Sequence, residues 1–88
     1  MKVAFRESFA RDLAGVADER LRQRIKAAIE QVERARTMAD VSHLKRLEAK
    51  GKYYRIRVGD YRLGLVLEGG AFVFVRALNR KEIYRYFP

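Results

Sequence analysis

Cysteine is absent from this chain, histidine and proline occur once each (His43 and Pro88), and acidic residues are scarce beside basic ones. Without cysteine there can be no disulfide, no thiolate metal site and no sulfur nucleophile. A lone histidine falls short of the ligand sets that hold zinc, so neither a metal nor another cofactor is expected. No apolar run approaches the ~18 residues that a membrane-crossing helix requires, and the first residues lack the apolar stretch of a secretory signal. Repeats, low-complexity stretches and linkers are missing as well. Together these absences lead to the expectation of a soluble protein of a reducing cytoplasm, without a membrane partner.

What is present is a short chain with a lopsided charge. Its 88 residues, 49% of them hydrophobic, suffice for one modest core, so residues 1–88 are expected to form a single domain. Twenty Lys and Arg against eleven Asp and Glu give a net charge of +9. Residues 1–44 hold nine basic and seven acidic side chains (+2), whereas residues 45–88 hold eleven and four (+7). Fourteen of the twenty cations are arginine, whose planar fork suits phosphate. The concentration of charge in one half points to a polyanion or to an acidic protein partner rather than to solubility alone.

The hydrophobic period divides the chain in two. "KVAF" (Lys2 to Phe5) reads as a short strand. Ser8 then offers an N-cap for a helix carrying Phe9 and Leu13, with Gly15 as its stop. Asp18 opens a second helix in which Leu21, Ile25, Ile29 and Val32 keep helical spacing. Thr37 and Asp40 resemble a capping pair, so a further helical turn is expected over residues 38–43. From Tyr53 the period changes to two. "YYRIRV" meets "YRLGLVLE" across Gly59-Asp60, and "AFVFVRAL" follows Gly69-Gly70, both two-residue hairpin loops. The tail places Ile83, Tyr84 and Phe87 at near-helical spacing, as a short turn that docks on the sheet. The expected fold is α+β, ordered β-α-α-β-β-β with that C-terminal helical turn, its helical hairpin on one face of a small antiparallel sheet.

The first hairpin contains a conflict. With two turn residues, Val58 faces Tyr61, Ile56 faces Leu63 and Tyr54 faces Leu65, an apolar face suited to lie under helices. On the other face Arg57 then lies opposite Arg62, and Arg55 opposite Gly64, with Lys52 extending the row. Like charges directly opposed across strands destabilise by up to ~1 kcal/mol. Either the guanidiniums splay into solvent at little cost, or they converge on a phosphate and repel one another while the site is empty. Gly64 would leave room there for a ligand backbone, or mark a bulge. Arg76 falls on the apolar parity, which implies an ion pair at the sheet margin or a shift of register. His43 is the only side chain with an ordinary titration near neutrality, and at a helix end it reads as a cap or surface residue. Glu48 reads as solvated. Tyr53, Tyr54, Phe72 and Phe74 read as core.

"YYRIRVGDYRLGLVLE", followed by a hydrophobic strand and "RALNRKEIYRYFP", resembles the RelE/ParE toxin superfamily, and within it the RelE-type messenger-RNA endonucleases of toxin–antitoxin modules. The resemblance extends over essentially the whole chain and rests on alternating basic residues in one strand, a Tyr-Arg opening the next, and a terminal Arg…Tyr. It implies that Arg55, Arg57, Arg62, Arg80 and Tyr84 form the catalytic set, with Lys52, Asn79 and Lys81 joining Arg55 and Arg57 in binding RNA. In such enzymes the message lies in the ribosomal A site, and its own 2′-hydroxyl attacks the adjacent phosphate without a metal. The resemblance also implies a cognate antitoxin with an acidic, amphipathic tail, in a hetero-oligomer with the toxin. Two departures stand out. Lysines are frequent in relatives where Arg55 and Arg57 stand, and arginine is a poor general base. Histidine is frequent where this chain has Asn79, and an amide carries no proton. A gyrase-binding poison of ParE type and a degenerate nucleic-acid-binding module are the alternatives.

Overall fold

The computed structural model describes residues 1–48 and 51–88. Its elements run β1 (Lys2–Phe5), α1 (Glu7–Ala14), α2 (Glu19–Arg34), a 3-10 turn (Met38–Asp40), β2 (Leu44–Arg46), β3 (Tyr53–Val58), β4 (Tyr61–Glu68), β5 (Ala71–Asn79) and α3 (Arg80–Tyr86). This is the α+β architecture expected from the sequence, with two additions to the sheet. Leu44–Arg46 contributes an edge strand, giving the order β1-β5-β4-β3-β2. The sheet is also mixed rather than wholly antiparallel, because β1 runs parallel to β5, Lys2 beside Ala71 and Phe5 beside Phe74. A tight turn reverses a strand, but β1 leaves the sheet through two helices and is free of that constraint. β2 has three residues, two of them charged, and so carries no alternating apolar signal. A short cationic edge also discourages pairing with other chains.

The helices form for local reasons and bury for tertiary ones. α1 has Arg6 at its N-cap, without a side-chain cap. Ser8, expected to cap it, lies within the first turn, and its hydroxyl donates to the Val75 carbonyl, tying α1 to β5. Phe9 is buried, with its ring 5.7 Å from Phe5 and 5.3 Å from Phe74. α2 begins as expected, the Asp18 carboxylate accepting the Leu21 N–H at 3.2 Å. Its Ile25 and Val32 are fully buried, and Leu21, Ala28 and Ile29 pack beside them. The capping pair is real: the Asp40 carboxylate accepts the N–H groups of Thr37 and Arg36, both at 3.1 Å, and these bonds hold its carboxyl below the usual range. The turn ends at Asp40 instead of continuing to residue 43. His43 adopts a left-handed φ of 62°, from which the chain straightens into β2.

Both hairpins close on glycines with φ of 58° (Gly59), 55° (Gly69) and 79° (Gly70), the positive values that primed turns need. Between β3 and β4 the register is the expected one: Tyr54 with Leu65, Ile56 with Leu63, Arg57 with Arg62, Arg55 with Gly64. Between β4 and β5 it shifts. Leu65 pairs with Phe74, but Gly64 pairs with Arg76, leaving Val75 as the extra residue of a bulge. Arg76 therefore shows both features that its parity allowed. The bulge lets Ala77, not Arg76, oppose Leu63 in the core, and Asp12 of α1 clamps the irregular backbone. Its carboxylate accepts from Arg76 Nε at 2.7 Å, from Arg76 Nη2 at 3.1 Å and from the Ala77 N–H at 3.0 Å.

The sheet has two differently covered faces. Tyr54, Ile56, Val58, Leu63, Leu65, Phe72 and Phe74 form one cluster with Phe9, Ile25 and Val32 of the helical hairpin. On the opposite side of β4 lies α3, whose Ile83 is fully buried and which ends in the buried Phe87. A Cβ built on Gly64 would come within 2.7–2.8 Å of three Phe87 ring atoms. The space over Gly64 is thus filled by Phe87 and is not room for a ligand backbone. Tyr53, expected in the core, is half-buried on this second face, edge-on to Phe87 at 5.8 Å.

Gly64→Ala should destabilise the fold by about 1–3 kcal/mol through overpacking, read as a lowered denaturation midpoint. Adding Phe87→Leu, which shortens the obstructing ring, should recover part of that loss. Full stability of Gly64→Ala alone would refute the packing role given to this contact.

Candidate active site

The outward side chains of β3 and β4 meet α3 and the edge strand around a cleft of about 390 Å³. His43, Leu44, Lys45, Arg55, Arg57, Arg62 and Tyr84 line it, so four cations surround one hollow without a carboxylate among the described lining residues. Period-2 geometry brings Arg55 and Arg57 to the same side of β3, and the two-residue turn brings Arg62 opposite Arg57. β2 adds Lys45 directly opposite Arg55. α3 adds Tyr84, 71% exposed, one residue beyond the buried Ile83.

The opposed arginines coexist because each is drawn in a different direction by an uncharged group. Arg62 folds back on its own hairpin, Nη1 donating to the Gly59 and Tyr61 carbonyls, both at 2.9 Å. Arg57 reaches the other way, its Nη2 lying 3.1 Å from His43 Nδ1. Arg55 lies over the Tyr84 ring, with its guanidinium carbon 4.6 Å from the centroid. The ion pairs among the described residues, Arg6 with Glu68 and Arg76 with Asp12, leave this group out. Its charge is therefore uncompensated in the resting cleft, as a pre-arranged anion site requires.

Tyr84 reports that field. Its phenol is held below the ordinary value, first by hydrogen bonding to Arg55, then by the Arg55 charge, with Arg62 and Lys45 adding attraction and slight burial opposing. A phenol shifted down is a better proton donor near neutrality than a free tyrosine. The structure thus brings Arg55, Arg57, Arg62 and Tyr84 together. Other residues implied by the resemblance stand apart from the lining. Arg80 is exposed one helical turn before Tyr84, and its N–H donates to the Asp60 carbonyl at 2.8 Å. Asn79 is the N-cap of α3, its Oδ1 accepting the Lys81 N–H at 3.0 Å. Lys81 is exposed on that first turn, and Lys52 places its ammonium 5.9 Å from the Tyr53 ring centroid. Glu48 is exposed.

His43, Leu44 and Lys45 are the cleft residues that sequence reasoning did not assign to it. The "HLKR" segment shows no strand period, and joining it to β3 requires the pairing of Lys45 with Arg55, which no local pattern states. Among the described residues, no three His, Cys, Asp or Glu side chains converge as a metal site would need. No helix among them is long and apolar enough to cross a membrane.

Ultraviolet titration should find one tyrosine ionising below the others. Tyr84→Phe should delete that step, and Arg55→Gln should move it upward, because the cation that favours the phenolate is gone. An unmoved step in Arg55→Gln would contradict the geometry.

Comparison with known proteins agrees with the architecture. Residues 3–84 match the family model described as the ParE toxin of the type II toxin–antitoxin system parDE. Over 89 aligned positions and the full length of both chains, the sequence is 42% identical to Toxin RelE3 of Methanocaldococcus jannaschii. The fold is similar to the crystal structure of a RelB-RelE antitoxin–toxin complex from Methanococcus jannaschii, with a TM-score of 0.79, 38% identity and coverage of 97% of this chain and 99% of the other. A RelE-RelB complex from Pyrococcus horikoshii OT3 shares the fold at a TM-score of 0.73 and 18% identity, over 90% and 93% of the two chains. By the family match over residues 3–84, the 42% identity over its full length and the shared fold, this chain belongs to the RelE/ParE superfamily of toxins of type II toxin–antitoxin systems.

Proposed function

We propose that this RelE-like toxin is an endoribonuclease that cuts messenger RNA in the ribosomal A site. The observation that carries the reading is that Lys45, Arg55, Arg57, Arg62 and Tyr84 line one cleft. Attack of a 2′-hydroxyl on the neighbouring phosphate builds negative charge on the phosphoryl oxygens and on the departing 5′-oxygen. Arg55, Arg57 and Arg62 bind and neutralise the first. Tyr84, its proton loosened by Arg55, neutralises the second by giving that proton to the 5′-oxygen. Arg80, Lys52, Asn79 and Lys81, outside the lining, hold the flanking nucleotides. The products are a 2′,3′-cyclic phosphate and a 5′-hydroxyl.

The partner is a cognate antitoxin in a hetero-oligomer, as in the RelB-RelE complexes that share the fold. An acidic, amphipathic segment fits a chain whose net charge is +9. A gyrase poison remains the second reading because the matching family model is that of ParE. A cluster of phosphate-binding groups around an exposed tyrosine supports RNA cleavage over it.

Arg62→Ala should slow cleavage of ribosome-bound message about 10²–10³-fold with the fold retained by circular dichroism, and Arg80→Ala should slow it less. Both should relieve growth arrest. Mapping 5′ ends of cellular messages after induction separates the readings. Codon-phased cuts in translated regions are expected, whereas double-strand DNA breaks without such cuts would replace this function with gyrase poisoning.

A further inference from the structure

His43 occupies an unusual position. It lines the cationic cleft and also a neighbouring groove of about 660 Å³ between α2 and β3. Its left-handed φ of 62° is the sole positive value on a non-glycine residue among those described. Such a conformation costs an L-residue about 1–2 kcal/mol, and held strain of this kind concentrates where a side chain must be aimed. Here the bend takes the chain from the capped turn into β2 and sets the imidazole beside β3. Arg57 then fixes it twice. The Arg57 N–H meets the His43 carbonyl at 3.4 Å, and Arg57 Nη2 lies 3.1 Å from Nδ1. A guanidinium only donates. In that contact Nδ1 is the acceptor, which in a neutral ring places the hydrogen on Nε2.

Resting on the endoribonuclease reading, we infer that His43 is the base that takes the proton from the attacking 2′-hydroxyl. The other cleft cations are unsuited to that task, since the ammonium of Lys45, like a guanidinium, offers donors and no lone pair. Arginine does not give up its proton at neutral pH, and Tyr84 is placed as the donor. When a phosphate draws the Arg57 guanidinium onto its own oxygens, Nδ1 loses its hydrogen-bond donor and its lone pair becomes available. The step then balances. The 2′-proton passes to Nδ1 as the 2′-oxygen forms its bond to phosphorus. The bond from phosphorus to the 5′-oxygen breaks, its electron pair stays on that oxygen, and Tyr84 protonates it. Imidazolium and phenolate return to their resting forms by exchange with water, with no net proton consumed.

The charged and titratable neighbours of His43 on the cleft side are Arg57 and Arg55 of β3, Arg62 of β4, Lys45 of β2 and the phenol of Tyr84. On the groove side they are Arg24 and Arg34 of α2 with Arg36 and Asp40 of the capped turn. The base must be neutral and the phenol protonated, so the rate should fall toward acid through His43 and toward alkali through Tyr84.

The test measures the pH profile of cleavage of ribosome-bound message by wild type and His43→Asn. Asparagine tolerates positive φ and offers Arg57 an acceptor, but it does not titrate. The variant should lose about 10²–10³-fold in rate, keep its apparent affinity for the programmed ribosome, and lose the acid limb. His43→Gly, which also accepts the backbone angle, should regain part of the rate with added imidazole. A His43→Asn enzyme that keeps the wild-type rate, or that slows while retaining the acid limb, overturns the assignment. If the wild-type protein arrests growth yet cuts no message, the endoribonuclease reading itself falls, and the part given to His43 falls with it.

Discussion

The seating of the Phe87 ring on the bare backbone of Gly64 determines where the C-terminal helix lies, and through it the composition of the cleft. A side chain at position 64 would collide with that ring. The same glycine begins the bulge that lets β5 turn its arginine away from the core and present Ala77 instead. With Ile83 and Phe87 buried on this face, helical geometry sends Tyr84 outward beside Arg55. Tyr84 thereby acquires an acidified phenol from a contact that neither β3 nor α3 could make alone.

The two faces of the sheet do different work. Under the helices, β3 and β4 contribute closely packed apolar residues whose removal from water stabilises the fold. On the other face the same strands hold a set of mutually repelling cations. The repulsion is tolerable because the guanidiniums diverge and because their partners are carbonyls, an imidazole and a phenol ring rather than carboxylates. An acid pairing with any of them would stabilise the resting protein and compete with phosphate. Binding that depends on such a cluster weakens steeply with salt, since neutralising phosphates releases counterions.

A small contact system holds the functional strands to the scaffold. Asp12 links α1 to the bulge of β5 through three hydrogen bonds, and Ser8 adds another from the same helix. The start of α3 is tied to the β3–β4 turn through the Arg80 amide and the Asp60 carbonyl. A site built mainly on strands and one docked helix is thus positioned by the hydrophobic cluster and by these ties.

The alternation in "YYRIRV", the two-residue turn Gly59-Asp60 and the start of α2 at Asp18 are local chemistry, and they sufficed to specify the β3–β4 register and the pairing of Arg57 with Arg62. The local pattern offers Ser8 as a cap, yet the helix starts before it and its hydroxyl goes to the distant Val75 carbonyl; at Gly64 that pattern allows a bulge, which forms, or ligand space, which a ring from the C-terminus fills. The pairing of β2 with β3, that of β1 with β5, and the arrival of His43 and Lys45 at the cleft all involve groups far apart in sequence. Period and turn chemistry act over a few residues, so the sequence by itself determined which side chains share a strand face. Which strand, helix or loop stands across from that face is decided by the packing of the whole chain, and only the tertiary structure could supply Tyr84 to Arg55 and His43 to Arg57.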